Sequence, residues 1–170
     1  MKTTYVVALT LAFAASVTDL RSGRIPNVLT FGGALAAIIF HGLSGGSAEL
    51  LMACGGWIVG LAIFFPPFAL GGLGAGDVKL LAALGAWLGP TDAVWLALYS
   101  GVAGGVLALS VALARGYLHQ AFTNIRLLLT HWRVSGLGTL HQVSLAGSKG
   151  PRLAYAVPIL VGTVATIWLH

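Results

Sequence analysis

Asp19 and Asp77 are the residues of this chain best placed to do chemistry. Each is an ionisable group abutting a long apolar run, where lost hydration has to be compensated by a partner or a task. Two carboxylates gathered into one low-dielectric site repel each other, so the pair settles on sharing a single proton. Such a pair is acid and base at once. The ionised member takes a proton from a water that attacks an amide carbonyl, and the protonated member donates to the carbonyl oxygen and later helps protonate the departing amine.

The sequence around each aspartate suits that use. Asp77 stands in GGLGAGDVKLL, directly after Gly71, Gly72, Gly74 and Gly76, whose freedom to adopt positive φ and lack of side chain let another backbone approach closely. Pro66 and Pro67 lie upstream and predict that the preceding helix ends near residue 66. Asp19 stands in TDLRSGRIPNVL, where Pro26 and Asn27 form a natural helix start and Arg21 and Arg24 suit an anionic interface. A basic, capped loop is an equally good structural reading of those last residues. The glycines could also cradle a phosphate, but GGLGAGD lacks the Lys-Ser/Thr ending of such loops and has no strand before it. Lys79 could hold charge beside Asp77 or meet substrate, although a boundary lysine more simply reaches for lipid headgroups.

The elements that must position these groups are membrane helices. Of 170 residues, 58% are hydrophobic and only 8% charged, against roughly a quarter charged in soluble domains. A span through about 30 Å of hydrocarbon takes about 20 apolar residues. The stretches between charges then give six helices, near 3–20, 27–42, 48–67, 77–90, 93–114 and 153–169. The expected fold is all-α, one polytopic membrane domain over residues 1–170, with the short fourth helix re-entrant if only five cross. The first helix, though it follows Lys2 as a signal sequence would, runs straight into Asp19 and is expected to be retained. Six crossings put Arg21, Arg24, Lys79, Arg115, Arg126, Arg133, Lys149 and Arg152 on one side and Lys2 on the other. By the positive-inside rule that side is cytoplasmic, and both termini face out. Between the fifth and sixth helices, Phe122, Ile125, Leu128, Leu129 and Trp132 have the spacing of a short interfacial helix beside Arg126 and Arg133, followed by a Gly- and Ser-rich loop.

Other chemistries fit less well. The net charge of +5 is explained by basic loops facing anionic lipid, so no nucleic-acid partner is expected. The histidines at 41, 119, 131, 141 and 170 are scattered without zinc-ligand spacing, and a single cysteine, Cys54, excludes a Cys-rich metal site; no metal or cofactor is expected. Ser100 and Ser110 lie in the fifth helix without a GxSxG context or an adjacent histidine. Glu49 and Asp92 fall on the outer side. Ion binding by Asp19 and Asp77 in a small transporter is the main alternative, yet both carboxylates sit at one surface and the chain shows no repeated halves. A non-catalytic, structural role for both aspartates in a larger membrane assembly is a third reading.

Taken together, Asp19 followed by Ile25-Pro26-Asn27, then Gly74-Ala75-Gly76-Asp77 with Lys79-Leu80, and the late Arg152-Leu153-Ala154-Tyr155-Ala156-Val157-Pro158, resemble the type IV prepilin peptidases. The likeness is strongest to the short standalone members associated with tight-adherence (Flp) pili and covers roughly residues 5–165. It implies an aspartic endopeptidase of the bacterial inner membrane that removes the short basic leader of prepilins or pseudopilins at the cytoplasmic face. Asp19 and Asp77 would be its catalytic pair. Ile25, Pro26, Asn27, Gly74, Gly76 and Lys79 would shape the site or hold substrate. Its implied partners are the prepilin leader, the lipid bilayer and the pilus assembly machinery. Larger members add a region with paired cysteines and an N-methyltransferase activity. Here Cys54 stands alone and little sequence precedes the first helix, so cleavage without methylation is expected. The final helix entry has a single proline, Pro158, where an additional one is frequent.

Overall fold

A computed structural model of the chain describes residues 2–116 and 154–170, together with Thr123, Arg126 and Thr130. Every element is helical: α1 (Lys2–Ser22), α2 (Asn27–Ser44), α3 (Gly46–Ala69), α4 (Ala75–Leu88), α5 (Pro90–Ala114) and α6 (Ala156–Leu169). Four of them, α1, α2, α3 and α5, are long and apolar enough to cross a bilayer. Their outward faces are apolar, with Leu43, Val28 and Leu51 exposed by 85%, 81% and 71%. A surface of that kind over whole helices is tenable against lipid and not against water. The predicted interfacial segment lies mostly outside the described residues; Thr123, Arg126 and Thr130 are helical, and Thr130 Oγ1 donates to the Arg126 carbonyl at 2.7 Å.

Local chemistry sets the helix ends. Gly23, in the left-handed region at φ +63°, closes α1 by donating its N–H to the Asp19 carbonyl at 2.8 Å. Pro26, extended at φ −61° and ψ 138°, starts α2 without needing an N–H. Helix α3 continues past the expected stop at residue 66 and reaches Ala69. Pro66 and Pro67 lack donors but keep acceptors, and their carbonyls take the N–H groups of Leu70 (3.0 Å) and Gly72 (2.8 Å). Pro costs a helix most when it must itself donate or clash with the turn before it. Gly71, at φ +77°, then turns the chain toward α4.

The core is organised around α4. From Asp77 to Trp87 every residue is buried except the half-buried Lys79. This helix packs against each of the other five. Its closest neighbour is α3, along Gly56 and Gly60. A methyl group on Gly56 would collide with the Gly85 carbonyl, and one on Gly60 would lie 2.7 Å from the Leu81 carbonyl. Small residues thus bring two helix backbones into direct contact, the usual basis of tight packing where lipid removes the hydrophobic drive. Trp87 Nε1 donates to the Gly33 carbonyl at 3.0 Å and joins α4 to α2. On α1 the buried residues Ala8, Leu11, Ala12, Ala15 and Ser16 form one stripe that faces α4 and α6.

Candidate active site

Ser16, three residues before Asp19 on α1, donates its hydroxyl to the Ala156 carbonyl at 2.9 Å. One turn later Asp19 accepts the Ala156 N–H at 3.4 Å. The end of α1 is therefore stitched to the first residue of α6 through both backbone polar groups of that residue. Asp19 thereby faces the N-terminus of α6, where unpaired N–H groups and the helix dipole favour a carboxylate.

Asp77 also faces a helix N-terminus, that of its own helix. It lies in the first turn of α4, and its Oδ2 accepts the backbone N–H of Gly74 at 3.1 Å, while its own N–H donates to the Gly74 carbonyl at 3.1 Å. The glycines here act mainly through their lack of a side chain. Gly74 is extended at φ −80° and ψ 148°, and a Cβ there would sit 2.9 Å from Asp77 Oδ2. Gly76 is helical, and a Cβ there would lie 3.3 Å from Ile25 Cβ. Only Gly71 of the four uses the positive φ that the sequence suggested.

Both aspartates line one open cavity of about 990 Å³. Its wall includes Leu20, Gly23, Arg24 and Ile25 from the end of α1 and the link to α2. Phe68, Leu73, Gly74, Ala75 and Gly76 come from the end of α3 and the start of α4, and Leu107, Ala154 and Val157 complete it. The long chain separation between the aspartates is closed by the packing of α1 and α6 on α4. Of the expected site-shaping residues, Ile25, Gly74 and Gly76 border this cavity. Pro26 caps α2 at its edge. Asn27 and Lys79 do not line it; they bond to each other on the far side of α4, Lys79 Nζ to Asn27 Oδ1 at 3.2 Å. Lys79 also stands 4.9 Å above the Phe31 ring, so its side chain has two protein partners.

Two contributors escaped sequence reasoning. Ser16 was legible only as its spacing from Asp19, which puts both on one helix face. Tyr155, which the sequence offered only within the approach to the last helix, is the N-cap of α6 between Ala154 and Val157 of the cavity wall. Its hydroxyl points to the Ser100 carbonyl at 3.4 Å, its ring meets Phe64 edge to face, and Gly104 leaves the space it fills.

The remaining candidates lie elsewhere. Ser100 is fully buried against Gly162 and has no hydrogen bond to a histidine among the described residues. Glu49 pairs with His41 at 3.2 Å across the α2–α3 turn, and Asp92 opens α5; both are at the opposite end of the helices from the cavity. Among the described residues no group of three or more His, Cys, Asp or Glu could hold a metal ion.

Fold and site define an all-α polytopic membrane protein with two carboxylates facing one cavity at the ends of its helices. The chain belongs to the Type IV leader peptidase family, whose sequence model matches residues 6–109, more than half of the chain and a span that includes both aspartates. No curated protein and no solved structure matches it.

Proposed function

We propose that this protein is an aspartic endopeptidase that cuts the short basic leader from prepilin or pseudopilin substrates at the cytoplasmic face of a bacterial inner membrane. The observation that carries this reading is the shared cavity of Asp19 and Asp77. Family membership supplies the leader-peptidase role. The active unit is the whole chain, residues 1–170, as one membrane domain of the short tight-adherence type.

Each step uses groups already at the cavity. One carboxylate takes a proton from water as the water oxygen bonds to the scissile carbonyl carbon, and the other donates a proton to the carbonyl oxygen. The tetrahedral intermediate collapses with cleavage of the C–N bond: the proton first taken from water goes to the departing amine, and one hydroxyl of the intermediate returns its proton to the carboxylate that had donated one, which leaves a new carboxylic acid and the pair as it began. Atoms and charge balance without a cofactor. A helical substrate hides its carbonyls, so the segment to be cut must be extended. The glycine link from 71 to 76 and the apolar wall of Ile25, Phe68, Leu73 and Leu107 offer a surface for such a segment, while the leader's basic end stays in the cytoplasm. A transporter would use paired carboxylates nearer mid-membrane, whereas these stand at helix ends. With Cys54 alone and no paired cysteines, the product amine is expected to remain unmethylated.

The test is leader cleavage in membranes that co-express the chain with a small prepilin, read by gel shift and by the N-terminal mass of the product. D19N and D77N are each expected to lower cleavage by about 100-fold or more at matched abundance. Undiminished cleavage by either variant would remove the aspartic mechanism, and no cleavage by the unaltered chain across several prepilins would favour an ion-binding or structural role.

A further inference from the structure

Lys79 follows Asp77 by two residues, which places it about 200° around α4, on the side away from the cavity. Its ammonium donates to Asn27 Oδ1 at 3.2 Å and stands 4.9 Å over the Phe31 ring, so both of its partners lie in the opening turns of α2. Helix electrostatics do not favour this arrangement. Lys79 belongs to the second turn of α4 and reaches the first turn of α2, and each helix N-terminus carries about half a positive charge. A lysine merely seeking headgroups needs neither the amide nor the ring.

What this contact grips is the backbone beside the site. Asn27 is two residues beyond Ile25, which rests on Gly76 next to Asp77 and forms part of the cavity wall. The same short link, from Gly23 to Pro26, leads back to Asp19. Among the described residues, two side-chain hydrogen bonds join α2 to α4: this one at the cavity end, and Trp87 to Gly33 deeper in the bundle.

We propose that Lys79 and Asn27 form a positioning latch that holds the α1–α2 link against the first turn of α4, so that Ile25 closes on Gly76 and the two aspartates are presented from fixed backbones. The proposal rests on the peptidase reading for its kinetic consequence and on the contact itself for its structural one. Neither residue touches substrate; both act through Ile25 and the backbones that carry Asp19 and Asp77.

The experiment uses the full chain in lipid nanodiscs with a prepilin leader substrate. K79M keeps the apolar stem over Phe31 and removes the charge, and N27A removes the acceptor. Each is expected to lower kcat about fivefold with KM within about twofold, the double variant is expected to be no worse than either single one, and K79R and N27D should restore most of kcat. A second readout needs no activity. In a Cys54→Ala background, the maleimide labelling rate of Ile25→Cys should rise when Lys79→Met is added. Additive losses, a change confined to KM, or a labelling rate indifferent to Lys79 would overturn the latch. Failure of the peptidase reading looks different: no cleavage by the unaltered chain, or cleavage by D77N, while the labelling result still decides whether the latch exists.

Discussion

The carboxylate of Asp77 occupies the space that a side chain on residue 74 would need, with a Cβ there only 2.9 Å from Oδ2. Gly74→Ala should therefore displace the carboxylate and weaken the N–H bond that holds it, while α4 still folds from its buried residues. Turnover is expected to fall about tenfold at unchanged abundance, the effect of moving a reacting group by a fraction of an ångström to an ångström. Parallel immunoblots and cleavage rates check this, and proportional loss of both would mark Gly74 as a folding residue. Gly76→Val meets Ile25, whose side chain can give by a few tenths of an ångström, and should affect turnover more than abundance in the same assay. The sequence marked these glycines as important for conformational freedom, but what decides them is room. Room depends on where Ile25 and the carboxylate of Asp77 lie, and neither distance is written in local spacing. The aspartates themselves were legible because charge beside an apolar run is conspicuous. Tyr155 was not, because a tyrosine at a membrane boundary has a sufficient reason to be there without any site.

Helices were the part most readable from composition, since charge-free stretches delimit α1, α2, α3 and α5 to within a few residues of their ends. Prolines misled at the end of α3, because a proline in a last turn still offers its carbonyl. Which helix sits in the middle could not be read from hydropathy: the lipid-facing helices carry apolar outer faces as well as apolar inner ones, and the shortness of α4 suggested a marginal element rather than the centre. The crossing of α3 and α4 supplies the matching prediction. Gly56→Ala and Gly85→Ala each force a methyl group into a facing backbone and should destabilise the fold by about 1–3 kcal/mol or more. Gly101→Ala, with open space around position 101, should be neutral within about 0.5 kcal/mol. Unfolding in mixed micelles measures all three, and equal stability of the Gly56 and Gly101 variants would contradict the close crossing.

At the scale of the molecule, the cavity collects the end of α1, the start of α4 and the approach to α6 at one face, and the His41–Glu49 pair marks the other. In a Cys54→Ala background, Ser22→Cys and Ser44→Cys should react with a membrane-impermeant thiol reagent from opposite sides, Ser22→Cys from the cytoplasm. Labelling of both from one side would refute the alternating arrangement.

The enclosure of α4 also bears on how the protein is made. At 14 residues, or about 21 Å, and with Asp77 and Lys79 in its opening turns, this segment is a poor candidate to leave the translocon on its own. It must be held by α1, α2 and α3, synthesised before it, until α5 and α6 close around it. Glycosylation mapping of chains truncated after residue 88 should find α4 incompletely inserted, and extension through α5 should raise the inserted fraction; full insertion of the truncated chain would disprove this order. Because Leu107 of α5 and Val157 of α6 complete the wall of the cavity, a chain halted before them carries both aspartates without the enclosed site.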